Sequence, residues 1–159
     1  MKQQFKGVLL CILASVSLIL SCKKETKMVP FNGTYTTTNE VLNPAPMLQS
    51  RITGIGQSNL DVSKFVAVST ANLTTPPPFK LAGTATFYAA DGDVFYTSFA
   101  GSLSPQSDGT STIVMTHKIL EGTGRFEHAT GSFEGNGIAH PTKPTSGTIT
   151  YQGYINIIR

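Results

Sequence analysis

Residues Phe79–Leu103, FKLAGTATFYAADGDVFYTSFAGSL, decide the fold. Two runs rich in Thr, Ala, Val, Phe and Tyr flank the pair Asp91-Gly92. An Asp-Gly pair between β-prone runs predicts a hairpin, because the central residues of a type I′ turn need positive φ. β-branched and aromatic side chains fit the pleated surface of a strand. The stretch therefore reads as one strand over Phe79–Ala90 and a second over Asp93–Leu103.

The same pattern extends in both directions. Upstream, Phe31–Thr38, Arg51–Leu60 and Lys64–Asn72 are strand candidates. The run Thr74-Thr75-Pro76-Pro77-Pro78 is a loop, since proline cannot donate to a central ladder. Downstream, a turn at Gln106–Gly109 leads into Thr110–Ile119, and Ser132–Ala139 and Ser146–Ile157 follow, joined through His140–Pro144. Asn39–Ser50 carries the weakest pattern and reads as a loop or a single helical turn. No other segment has a helical period. Alternation assigns the faces: Ile113, Met115, His117 and Ile119 fall on one side of their strand, with Thr112, Val114, Thr116 and Lys118 on the other. Ile149, Tyr151, Gly153, Ile155 and Ile157 likewise share a side. Eight short antiparallel strands must dispose of their edges. Closure into a small eight-stranded β-barrel does so, with a two-sheet β-sandwich as the alternative.

Charge excludes one class of partner. The whole chain carries a formal +3, but Lys2, Lys6, Lys23, Lys24 and Lys27 all precede Met28. From Met28 onward seven basic residues face eight acidic ones, a balance of −1. The folded part has no basic footprint for nucleic acid.

The first residues form a different kind of segment. Lys2 and Lys6 precede an almost wholly apolar run, Gly7–Leu20, which ends at Ser21-Cys22. That run is shorter than the about 20 residues a spanning helix needs and has the layout of an export signal. Leu18-Ile19-Leu20-Ser21-Cys22 resembles the lipobox of bacterial lipoproteins, whose cysteine receives a diacylglycerol thioether and becomes the mature N-terminus. Cleavage would discard Cys11 and leave Cys22 as the only cysteine, so no internal disulfide is available. The organisation expected is a signal over 1–21, a lipidated Cys22 with a polar tether over 22–30, and one barrel domain over 31–159. The implied address is the bacterial cell envelope, on the outer membrane through the lipid, with its periplasmic and surface faces both open.

One motif is distinctive: Glu121-Gly122-Thr123-Gly124-Arg125-Phe126-Glu127-His128-Ala129-Thr130-Gly131-Ser132-Phe133. It resembles the GTGRF-x-x-ATG segment of the allene oxide cyclase-like and dirigent-like β-barrel superfamily, in particular its bacterial members. Ile52–Gly56, Gly83–Phe87 before Asp91–Asp93, Asp108–Thr112 and Gly147–Ile149 fit the same resemblance, which touches most of residues 50–157. It implies a closed antiparallel barrel and leaves a homo-oligomer open. It carries no catalytic residue over, because the acidic and polar site residues of the plant proteins have no match here. Read physically, Gly122, Gly124 and Gly131 allow positive φ or close backbone approach. Phe126 and Phe133 can anchor a bend on the core, and Arg125 can pair with a carboxylate.

Chemistry is sparse. His117, His128 and His140 lack metal-ligand spacing, and Asp91-Gly92-Asp93 falls short of a calcium loop. There is no G-x-S-x-G elbow and no phosphate-binding glycine loop. No cofactor or metal is implied. His128 and His140, beside turns, are expected at the surface, as are Glu121, Glu127 and Glu134, whose clustering near Arg125 leaves a carboxylate pair for acid–base work as the alternative. His117, on the apolar face of its strand, is the one histidine candidate for acid–base work, against a core role with satisfied hydrogen bonds. Two functions therefore stand: an envelope lipoprotein that binds a partner or a small apolar ligand, and a cyclase- or isomerase-like enzyme acting on a hydrophobic substrate inside the barrel.

Overall fold

The computed structural model describes residues 25–140 and 147–158. Eight strands follow in order: β1 (Thr26–Asn43), β2 (Met47–Ser58), β3 (Val62–Asn72), β4 (Phe79–Ala89), β5 (Val94–Pro105), β6 (Ser111–Gly122), β7 (Thr130–Ala139) and β8 (Gly147–Ile158). One 3-10 turn, Gly124–Phe126, lies between β6 and β7. Each strand pairs antiparallel with its neighbours in sequence, and β8 closes the ring on β1. Closure gives every strand two partners and leaves no edge, so the barrel and not the sandwich is the solution adopted. The segment 1–21 expected to be a signal, Cys22 and residues 141–146 of the last connection lie outside the described residues.

Three local expectations are corrected. β1 begins at Thr26 rather than Phe31, so Thr26–Pro30, expected in the tether, pair with Tyr154–Ile158 of β8. Asn39–Ser50 is neither a helical turn nor wholly a loop. Asn39–Val41 pair with Ser50–Ile52, and the chain reverses through Asn43–Met47. Asn and Glu are weak strand formers, but β2 offers their backbone groups partners, and that outweighs propensity. The Asp91-Gly92 hairpin is not a type I′ turn. Its loop is closed by Ala89 N–H to the Asp93 carbonyl (2.9 Å) and Gly92 N–H to the Ala89 carbonyl (3.1 Å). Gly92 has φ +93 and Asp91 has no positive φ. This is the three-residue loop in which a turn is followed by one left-handed glycine. The β5–β6 connection repeats it, with Gln106 N–H to Thr110 (2.8 Å) and Gly109 at φ +82.

The meander defines two ends. The β1–β2, β3–β4, β5–β6 and β7–β8 connections share one end, while the chain start and the other three connections share the opposite one. Every strand of the ring lies between Thr26 and Ile158, so a chain starting at Glu25 carries the complete barrel.

Inward residues differ between the two halves. Toward the end of the chain start they are aromatic. Phe31 meets Phe87, Phe95 and Phe133 edge-on at 5.9, 5.7 and 4.8 Å, and Phe87 stacks on Phe95 at 4.7 Å. Edge-on and offset contacts of this kind stabilise beyond area burial alone. Toward the other end the inward positions include Ser50, Ala67, Ser69, Ala71, Ala139 and Gly147, which are too small to fill an eight-stranded ring. One half is thus a solid aromatic core, and the other encloses space.

Candidate ligand-binding site

At the closed end the distinctive glycine-rich motif is a plug. The 3-10 turn drives Phe126 into the barrel, fully buried and 5.0 Å from Phe95. Gly124 has φ +53 and Gly131 φ +132, conformations an L side chain resists. Gly122 takes the other expected role, since a Cβ there would press on the Phe126 carbonyl at 2.6 Å. Arg125 ties the plug down. Its backbone N–H donates to Asp93 Oδ2 (2.9 Å) and its Nη2 to the Leu60 carbonyl (2.7 Å). Its Nε lies 3.3 Å from Asp91 Oδ2, an ion pair outside hydrogen-bond geometry. The guanidinium also covers the Phe126 ring at 4.9 Å. Asp91 and Asp93, read from sequence only as turn residues, are therefore the carboxylate partners of Arg125.

The opposite end holds a cavity of about 390 Å³, within the range of about 300–1,000 Å³ typical of small-molecule sites. Its walls include Leu48, Ile52, Leu81, Leu103, Ile113 and Ile149, and its floor is Phe65, Phe99, Met115, His117 and Tyr151. No Asp, Glu, Lys or Arg lines it among the described residues. Glu121, Glu127 and Glu134 are exposed and stay outside. His128 is exposed, 3.7 Å from Glu127. His140, expected at the surface, is half-buried and lines the cavity, because β7 carries it to the open rim.

His117 is fully buried in the cavity floor. It stacks on Phe133 (4.8 Å, 8° between planes) and lies 4.9 Å from Phe99. Nδ1 is 2.9 Å from Thr97 Oγ1, and Nε2 is 3.1 Å from Met115 Sδ. Thioether sulfur only accepts, so the pairing requires the proton on Nε2, with the Thr97 hydroxyl donating to Nδ1. Burial pushes the imidazole pKa down to about 3, which leaves it neutral at physiological pH. The ring is thus uncharged with both nitrogens engaged, and proton exchange with a ligand would first break one of these bonds. Tyr35 is held as a phenol too. Burial pushes it up to about 12, and its hydroxyl donates to the Val62 carbonyl at 2.9 Å.

Sequence reasoning did not single out Asn39, Ser50 and Ser69, which are among the polar residues of the cavity wall. Alternation with Phe65, Ala67 and Ala71 could have placed Ser69 inside. Ser50 and Asn39 lay in the stretch with no clear pattern.

The barrel resembles the solved structure of a pterocarpan synthase dirigent protein, with a TM-score of 0.52 over 86% of this chain and 87% of that one. The fold is a dirigent-like β-barrel. At 13% identity the likeness concerns the fold alone. No protein-family model matches the chain, and no curated protein matches it. The dirigent-like barrel here has one sealed end and one open end, and its cavity is the site with the geometry to hold a small molecule.

Proposed function

We propose that this chain is a lipid-anchored envelope protein whose barrel binds a small apolar ligand. The cavity carries the reading: about 390 Å³ of space with a mainly aliphatic and aromatic lining, closed below by an aromatic floor. Apolar walls with few polar groups are the usual composition of such sites. The anchor rests on the export-signal pattern and on Cys22. β1 starts at the sealed end, four residues after Cys22, a reach of about 14 Å. A lipid on Cys22 would hold the plugged end near the membrane and leave the cavity mouth facing away, toward the aqueous phase or a partner protein. Binding without catalysis is favoured over the enzyme because His117, the one candidate acid or base, is neutral and fully engaged.

The test is titration of the chain from Glu25 to Arg159 with the neutral fluorophore N-phenyl-naphthylamine. Saturable binding is expected in the native chain and its loss in Ala71→Phe, which fills the cavity from β3. Absence of saturable binding, or equal binding in that variant, would refute the reading.

A further inference from the structure

The cavity is not uniformly apolar: Asn39, Ser50 and Ser69 sit together on the wall built by β1, β2 and β3, while other polar lining residues, among them Gln106, Thr110, His117 and His140, lie elsewhere around it. Ser50 of β2 and Ser69 of β3 are direct register partners, both facing inward and both more than nine-tenths buried. Neither hydroxyl has a hydrogen-bond partner among the described residues. Asn39 of β1 stands diagonally beside Ser50, since Asn39 pairs with Ile52 and Val41 with Ser50. Its side chain lines the cavity, and its Oδ1 is buried with no partner among the described residues. The terminal torsion of Asn is broad and roughly two-fold, so the amide can turn its oxygen onto a donor in the cavity. Across the barrel, β5 and β6 present Phe99, Leu103, Ile113 and Met115, with His117 in the floor and Ser111 at the start of β6. Buried polar groups in a folded protein are normally satisfied. The two serine hydroxyls open onto the cavity and the Asn39 oxygen is buried beside them, so the three are placed to share hydrogen bonds with a ligand.

We infer that Asn39, Ser50 and Ser69 form a hydrogen-bonding wall that selects neutral, oxygen-bearing hydrophobes: molecules with an apolar body and a hydroxyl or carbonyl along one edge. A hydroxyl satisfies both the serines and the amide oxygen, as donor and as acceptor. The apolar body lies against Phe99, Leu103, Ile113 and Met115. Carboxylates are disfavoured, because among the described residues the lining holds no cationic Lys or Arg to offset their desolvation. The inference rests on the ligand-binding reading above and narrows it.

The experiment displaces N-phenyl-naphthylamine from the Glu25–Arg159 chain with three competitors of one shape: naphthol, methylnaphthalene and naphthoate, substituted at the same ring carbon. A plain apolar cavity would prefer methylnaphthalene, because desolvating a hydroxyl without a new partner is costly. The wall predicts that naphthol binds about tenfold more tightly than methylnaphthalene, with naphthoate weakest. The triple variant Asn39→Leu, Ser50→Ala, Ser69→Ala should still bind the fluorophore and reverse the order of naphthol and methylnaphthalene. Should the triple variant lose its β-sheet circular dichroism, Ser69→Ala alone should lower the naphthol preference about threefold. Methylnaphthalene binding as tightly as naphthol to the native chain, or an unchanged preference in the folded variant, overturns the wall while leaving ligand binding standing. A native chain that fails to bind the fluorophore at all removes both.

Discussion

The hydroxyl of Thr97 and Nδ1 of His117 lie 2.9 Å apart on adjacent strands, at the level where the aromatic core gives way to the cavity. This bond and the Met115 contact hold the imidazole in an aromatic box, where burial keeps it neutral.

A pH dependence follows from that burial. The folded-state pKa of His117 is depressed to about 3, whereas an unfolded imidazole titrates near 6.5. Below about 6.5 the unfolded chain therefore binds one more proton than the folded one, and stability falls as pH falls. The limiting slope is about 1.4 kcal/mol per pH unit. Above about 6.5 the contribution is complete and flat. Urea unfolding between pH 7 and 5 should show this slope in the native chain, and His117→Gln should flatten it whatever its absolute stability. Equal slopes in the two proteins would contradict the account.

Phe65 lies over its register partner Gly54, in the space a Cβ on Gly54 would occupy. Gly54→Ala forces the ring from its place among Tyr35, Phe87 and Tyr151. Overpacking of this kind costs about 1–3 kcal/mol. A thermal unfolding midpoint unchanged from the native value would show that the core accommodates the methyl.

Asp93→Ala removes the acceptor of the Arg125 N–H and loosens the plug at the sealed end. The expected loss is about 1–2 kcal/mol, with faster proteolysis between Thr123 and Ala129. Because the cavity lies at the other end, fluorophore affinity should stay within about twofold of native. A large loss of affinity would mean the two ends are coupled.

Cys22→Ser tests the proposed anchor. The expected product is an unprocessed, unlipidated chain, larger than the native one on a gel and without the lipid mass in a mass spectrum. Normal size and membrane retention in that variant would remove the anchor from the proposal.

The barrel was largely legible in the sequence, because the period-two alternation of β6 and β8 and the Asp-Gly turns are local signals. Where legibility failed, the cause was tertiary. Asn39 and Glu40 are poor strand formers that pair because β2 supplies partners. Thr26–Pro30 look like a polar tether until β8 pairs with them. The turn at Gly92 was correctly placed but wrongly typed, because composition alone does not distinguish a two-residue loop from a three-residue one ending in a left-handed glycine.

The sequence by itself determined the all-β class, the number of strands and, for β6 and β8, the side that faces inward, since these follow from local periodicity and turn chemistry. Tertiary structure alone decided which inward residues meet. Register and closure place Ser50 beside Ser69 and set Asn39 diagonal to them. They bring Arg125 to Asp93 across 32 residues of chain. They also stack the large rings at one end and leave the small side chains around a cavity at the other. Those juxtapositions depend on the stagger of eight strands around a ring, a property of the whole barrel that no local window of sequence contains.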